Sequence, residues 1–296
     1  MLRVHSAHLS DGAGTEYDLR TTSELVDLIN RQDASVPAAV RAAAPAVEQA
    51  VETVVERLGR GGRLIYAGAG SSGRLAELDA SECVATFGVD DGQVIAVVAG
   101  GLGAPPLEAA AAEDDREAGA ADIGALSPSA ADVVLGISAS GETPYVSGAL
   151  EAAREAGART IALVCASGAT HASLADQAIE VTVGPEILSG STRLKAGTAQ
   201  KLVLNTISTV AMIRLGKTYG NLMVGVAPAN EKLRTRLRRV VAAATGAPDD
   251  EVERAIEAAG GDGKVAVVSL LAGVDAETAA ARLEAANGNV REAAAR

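Results

Sequence analysis

The sequence predicts an α/β protein: a three-layer, five-stranded parallel sheet flanked by helices, with a small C-terminal helical domain. Three observations carry this. Five short β-branched runs recur along the 296 residues, and Ala-, Glu- and Arg-rich stretches of helical period separate most of them. The core must also be aliphatic, because 48% of residues are hydrophobic but only 2% aromatic, with Phe87 the single phenylalanine and no tryptophan. Such material favours close-packed helices on a sheet of Val, Ile and Leu.

Taken in order, residues 1–60 read as N-terminal helices packing on the core. "TTSELVDLINRQD" opens with cap-type residues, and "VPAAVRAAAPAVEQAVETVVERLGRGG" ends in glycines that stop a helix. The core domain, 61–228, holds the strand-like runs "GRLIYAGAG" (62–70), "GQVIAVVAGG" (92–101), "ADVVLGISAS" (131–140), "ARTIALVCAS" (158–167) and "QAIEVTVG" (177–184). Helical stretches at 105–120 and 145–156 alternate with them, so the connections are βαβ crossovers, and a long helix covers about 193–216. Region 229–296 begins with the basic amphipathic helix "NEKLRTRLRRVVAAATG", read as a solvated face on a packed helix. From Ala247 onward it shows three short helical patterns broken by "GGDG" and "ANGN".

Charge and composition exclude several functions. A net charge of −12 leaves no broad cationic face for nucleic acid or an anionic membrane, although local donors can still hold a small anion. Two cysteines, Cys83 and Cys165, give no disulfide framework and read as small packing residues of a reducing, cytoplasmic protein. The first twenty residues lack the apolar core of a signal peptide, and no run approaches a membrane span. No metal is called for: His5, His8 and His171 are scattered without ligand spacing.

Two strand ends carry hydroxyls. In an open parallel sheet, ligands gather where helix N-termini follow the carboxyl ends of strands, and those N-termini present unpaired N–H groups to anions. In "AGAGSSGR", Gly68 and Gly70 allow close backbone approach while Ser71 and Ser72 donate. In "SASGETPY", Ser138, Ser140 and Thr143 precede Pro144, a first-turn residue of a helix. One such loop alone is usually only a turn; two on one sheet point to phosphate. A nucleotide is disfavoured: Gly68, Gly70 and Gly73 do have GxGxxG spacing, but there is no P-loop Lys-Ser ending and no acidic ribose-binding residue where a dinucleotide fold needs one.

Two glutamates add chemistry. Glu82 is placed at or just beyond the end of the helix that the first loop opens, and Glu113, in "AAAAEDDREAG", inside the next helix. A carboxylate pair in a dry cleft suffices for proton transfer on a sugar without metal or cofactor. For Glu113 the competing reading is an ordinary solvated helix face shared with Asp114, Asp115 and Glu117.

The stretches "GAGSSGRLAELDASEC", "AEDDREAG", "SASGETPYV", "GPEILSGSTRLKAGTAQKLVLN" and "GKTYGNLMVGV" resemble the signatures of the N-acetylmuramic acid 6-phosphate etherase family, over nearly the whole chain. That resemblance implies a SIS (sugar isomerase) domain with a small helical C-terminal domain, assembled as a homodimer. The implied activity is a cytoplasmic carbon-oxygen lyase of peptidoglycan recycling. It cleaves the D-lactyl ether of the amino sugar phosphate, giving N-acetylglucosamine 6-phosphate and D-lactate. Ring opening exposes an aldehyde at C1, which acidifies the C2 proton and makes lactate at C3 a β-leaving group. By the resemblance Glu82 is the acid that assists lactate departure, kept protonated by burial, and Glu113 is the C2 base. By the same resemblance Ser71, Ser72, Ser138, Ser140 and Thr143 line phosphate and sugar; Arg193 and Lys195 are candidates for positive charge beside them, the competing reading being an ion pair at a helix start or a dimer contact. A sugar-phosphate isomerase, or a noncatalytic sensor similar to the glucokinase regulatory protein, are the alternatives.

The chain departs from the family at Val84 and Ala85, often Pro-Pro; at Glu142, commonly Arg; at Gly225, often Asp; and after Cys165, where "AS" replaces Asn-Pro. Glu142 matters most, because a carboxylate inside a phosphate-holding loop repels a dianion unless it points outward or meets a cation.

Overall fold

The structure, a computed structural model, describes residues 16–226 and 230–296; His5 and His8 lie outside the described residues. These residues fall into two compact units, one built from residues up to 80 and from 93–207, the other from 81–92 and from 208 onward.

The first unit is the parallel sheet and its helices. β1 (Leu64–Gly68), β2 (Val94–Val98), β3 (Val133–Ser138), β4 (Arg159–Val164) and β5 (Gln177–Glu180) lie in the order β2-β1-β3-β4-β5, every pairing parallel. Each strand falls inside the run expected for it. β1 and β3 are buried at every position, as "LIYAG" and "VVLGIS" require of central strands covered on both faces. Their starts are tied together: buried Asp132, just before β3, accepts from the Arg63 backbone N–H at 2.8 Å and from its guanidinium at 2.9 Å. Because β1 sends its crossover one way to β2 and pairs on its other side with β3, the switch in strand order falls between β1 and β3.

Before the sheet come α1 (Thr22–Asp33), α2 (Val36–Ala42) and α3 (Ala44–Leu58). α1 starts on a capping box, in which Thr21 Oγ1 accepts from Glu24 N–H and the Glu24 carboxylate accepts from Thr21 N–H. α3 buries Val47, Val51, Val54 and Leu58 as one stripe. The crossovers contain α4 (Gly70–Phe87), α5 (Pro106–Ala112), α6 (Arg116–Ala125), α7 (Pro144–Glu155) and α8 (Thr170–Leu174), and α9 (Lys195–Arg214) follows the sheet. The single helix expected over 105–120 is therefore two. Asp115 breaks it by accepting from Ala118 N–H at 2.8 Å, an N-cap whose extended backbone ends one helix and starts another.

The second unit contains α10 (Glu231–Thr245), α11 (Asp249–Ala258), α12 (Gly263–Ala272), α13 (Ala276–Ala285) and α14 (Val290–Ala295). α10 turns Leu237 and Val241 inward while Arg234 and Arg238 pair with Glu231 on the outside, the solvated face expected of it. The tail after Ala247 has four short helices rather than three. A third break, at Gly273 in the left-handed region and Asp275 as an N-cap, was hidden by flanking alanines and leucines. Val224, Leu237, Val241, Val267 and Leu283 form the core of this unit. Lys264 donates to the carbonyls of Gly216 and Gly288 at 2.9 and 3.0 Å, and burial beside Lys217 pushes its ammonium down to about 8. Among the described residues no helix is long and apolar enough to cross a membrane.

Candidate active site

Both hydroxyl loops open at the strand-order switch. β1 ends at Gly68, and α4 begins two residues later, so Ser71 and Ser72 occupy its first turn, where backbone N–H groups are also unpaired. β3 ends at Ser138, and Thr143 precedes α7, whose first residue is Pro144 as expected. Within this second loop Ser138 is the hub. Its hydroxyl lies 2.8 Å from Thr143 Oγ1 and 3.3 Å from Ser140 Oγ, and it accepts from Gly141 N–H at 3.0 Å. Behind it sits His171, fully buried, with Nε2 at 3.1 Å from the Thr143 carbonyl and 3.0 Å from Ser147 Oγ. Burial lowers its pKa, so the ring braces the loop as a neutral group.

The two loops line one cavity of about 430 Å³, which also takes in Glu113, Arg74, Ser191, Thr192 and Arg193. All five predicted substrate-binding hydroxyls are in this lining. Glu113 is present too, although not inside a helix as expected: it terminates α5, its backbone carbonyl accepting from Tyr145 N–H at 3.1 Å, in the short turn before α6. Its carboxylate reaches the start of α4, where a β-carbon on Gly70 would stand 2.5 Å from Oε1. Gly70 also has a φ of +53°, so this position favours glycine on both counts. Burial, and then the neighbouring Asp114, raise Glu113 above the ordinary carboxylate value, while Arg74 pulls it back. The acidic cluster is thus not one solvated face, since Asp115 caps α6 and Glu113 turns into the cavity.

Glu82 is placed differently from expectation. It lies inside α4, five residues before its end, and is exposed rather than buried. Twelve residues separate it from Gly70, so the helical rise carries it roughly 18 Å along α4, longer than a hexose phosphate reaches from its phosphate to C3. It is absent from the lining that holds Glu113.

The two cations of the "STRLK" stretch are resolved. Arg193 lines the cavity, whereas Lys195 is 4% exposed and donates from Nζ to Gln32 Oε1 at 3.2 Å. Glu142 points out of its loop: its carboxylate accepts from Thr170 N–H at 3.0 Å and from Thr170 Oγ1 at 2.7 Å, at the start of α8. Cys83 and Cys165 are both buried, and burial with Glu186 nearby pushes the Cys165 thiol up to about 12. The sequence reading passed over Arg74, Ser191 and Thr192, and over Glu186, whose buried carboxylate accepts from Lys195 N–H and Ala196 N–H and so anchors α9 behind the 190–193 segment. Arg74 sits in the "SSGR" motif, where a cation on the first turns of a phosphate-facing helix was the available signal.

A doubly wound parallel sheet with hydroxyls and arginines gathered at its switch point defines a sugar-phosphate protein of the SIS class. Residues 46–154 match the family described as glucokinase regulatory protein N-terminal SIS domain, and residues 117–209 match the SIS domain. The phosphoheptose isomerase of Neisseria gonorrhoeae superposes with a TM-score of 0.51 at 22% identity, over 64% of this chain and 98% of that one, a likeness of fold. Two curated relatives named N-acetylmuramic acid 6-phosphate etherase are closer. That of Streptomyces avermitilis is 54% identical over 95% of this chain and 90% of its own, and that of Rubrobacter xylanophilus 54% identical over 94% and 92%. The chain belongs to the N-acetylmuramic acid 6-phosphate etherase family.

Proposed function

We propose that this chain is a carbon-oxygen lyase that cleaves the D-lactyl ether of N-acetylmuramic acid 6-phosphate by elimination and water addition, yielding N-acetylglucosamine 6-phosphate and D-lactate in the cytoplasm during peptidoglycan recycling. One observation carries the reading: a single cavity joins two hydroxyl loops, Arg74, Arg193 and a carboxylate raised above its ordinary value. The hydroxyls, the N-terminus of α4 and the arginines hold the 6-phosphate. Glu113 takes the C2 proton of the ring-opened sugar, and its raised pKa makes it a stronger base than a solvated glutamate. The electron pair left at C2 forms the C2–C3 double bond as the C3–O bond breaks, an acid gives its proton to the departing lactate oxygen, and water then adds its hydroxyl at C3 and a proton at C2.

Glu82 is our acid, delivered to the cavity by the partner subunit of a homodimer. The reading is supported by Glu82 being exposed and by its distance along α4 from its own chain's Gly70. A second apolar groove of about 510 Å³ shares Ser71, Arg74 and Arg193 with the cavity and continues over Leu75, Leu78 and Leu202, with Leu78 40% and Leu202 38% exposed. A second copy covering that groove brings its own surface up to the cavity mouth.

The deciding experiment is turnover of N-acetylmuramic acid 6-phosphate in ¹⁸O-labelled water. Label at the C3 hydroxyl of the amino sugar with unlabelled lactate is expected. Labelled lactate, or aldose–ketose interconversion without lactate release, overturns the reading.

A further inference from the structure

Gln200 lies in α9 within the "GTAQK" stretch, 1% exposed, directly behind the cavity wall. In the structure Ser72 Oγ donates to Gln200 Oε1 at 3.0 Å, while Gln200 Nε2 has no acceptor among the described residues. A buried amide NH₂ without an acceptor is a costly arrangement, because both its N–H groups have given up water. The orphan has a ready remedy. The oxygen and nitrogen of a glutamine amide exchange places by half a turn about its terminal bond with no change in shape. After that turn one Nε2–H donates to Ser72 Oγ and the carbonyl oxygen takes the pocket where the NH₂ was, so one N–H and a carbonyl, the better tolerated orphan, stand in place of two orphaned N–H groups.

The turn changes what Ser72 offers. As placed, its one proton is committed to Gln200 and the hydroxyl shows the cavity lone pairs, which repel an anion. With Gln200 donating, the Ser72 proton faces the cavity, and its hydroxyl oxygen is polarised by the bond it accepts. We infer that Gln200 is a positioning residue: with an anion in the cavity its amide donates to Ser72, which makes Ser72 a donor to the phosphate. The inference rests on the reading that this cavity takes a sugar phosphate.

The test is calorimetric titration of the full chain with N-acetylglucosamine 6-phosphate, and with unphosphorylated N-acetylglucosamine as the control, alongside KM and kcat for the etherase reaction. Wild type is compared with Ser72→Ala, Gln200→Met, Gln200→Glu and the double variant Ser72→Ala/Gln200→Met. Gln200→Met is expected to weaken the phosphorylated ligand about tenfold, the effect of one hydrogen bond to a charged group. It should raise KM with kcat held within about twofold, the signature of lost uniform binding. Gln200→Glu, which keeps the shape but claims the Ser72 proton, should weaken it further. The double variant should be no weaker than Ser72→Ala alone, because the glutamine acts only through that hydroxyl. Multiplicative losses in the double variant, or Gln200→Glu binding as wild type does, would overturn the inference and leave the cavity reading intact. A wild type that binds the two sugars equally overturns the cavity reading, and the inference falls with it.

Discussion

The Glu113 carboxylate rests against the backbone of Gly70, at 2.5 Å from where a β-carbon would be. This places the proposed base at the N-terminus of the helix that also carries Ser71 and Ser72, so proton abstraction and phosphate binding share one anchor. Gly70→Ala adds a methyl at that point and also strains a backbone at φ +53°, costing about 1 kcal/mol. The carboxylate is the mobile partner and must move. A displacement of this size is expected to lower kcat about 10²-fold with a much smaller change in KM. Steady-state kinetics of the variant, with its melting temperature as the folding control, checks this; an unaltered kcat removes Glu113 from the reaction.

The acid limb of the kcat–pH profile follows from the same residue. A base with a raised pKa is protonated sooner as pH falls, so activity is lost at a pH above that of an ordinary glutamate. Desolvation is the largest cause of the rise and Asp114 the next, while Arg74 opposes them. Asp114→Asn removes a repelling charge and should move the limb to lower pH. Arg74→Ala removes an attracting one and should move it to higher pH, besides weakening phosphate binding. Limbs that shift together in the same direction would show that another group titrates.

Glu142 should leave phosphate affinity alone. Its carboxylate accepts from the first N–H of α8, whose N-cap residue, Ala169, has no side-chain acceptor of its own. Glu142→Ala is accordingly expected to lower stability by about 1 kcal/mol while KM stays within about twofold of wild type. A sharply lower KM in the variant would mean that the carboxylate repels substrate after all.

The legibility of this chain follows its physics. All five strands could be read because they are short apolar runs too β-branched to favour helix, and the two loops because hydroxyl-rich turns end two strands of one sheet. Helix boundaries between alanine-rich segments were harder, as at Asp115 and Gly273, since alanine favours helix whether or not the chain stops there. Strand order was not derivable from spacing. The position of Glu82 was misjudged for a geometric reason: the length of α4 sets its distance from the loop, and that helix runs past Cys83 to Phe87. Gln200 was invisible because its role depends on a contact with Ser72, 128 residues away.

Asp132 gives a stability prediction of defined sign. Its hydrogen bonds from Arg63 and the Ser129 N–H, together with the Arg63 charge, outweigh burial and hold its carboxyl at about 2, below the ordinary 3.8. A lowered pKa contributes stability that is complete above 3.8 and lost as pH falls from 3.8 towards 2. Asp132→Asn should therefore be less stable than wild type by about 2 kcal/mol at neutral pH. The difference should shrink through that acid window, as measured by urea unfolding at a series of pH values. A constant difference down to the lowest pH would place the stabilisation elsewhere.

The sharpest prediction concerns where Glu82 acts. In a twofold dimer each site would combine Glu113 of one protomer with Glu82 of the partner subunit. Glu82→Gln and Glu113→Gln homodimers should each be inactive, since each lacks one of the two groups at both sites. Mixing them under conditions that exchange subunits produces mixed dimers with one site that has both glutamates and one that has neither. Random exchange makes half the dimers mixed, each with one working site of two, so activity should recover to about a quarter of wild type. If both glutamates served the same chain's cavity, every site in the mixture would carry one substitution and no activity would return. The two arrangements are thus separated by a yes-or-no result that needs only the two purified variants, a denaturant pulse to exchange subunits and a lactate assay.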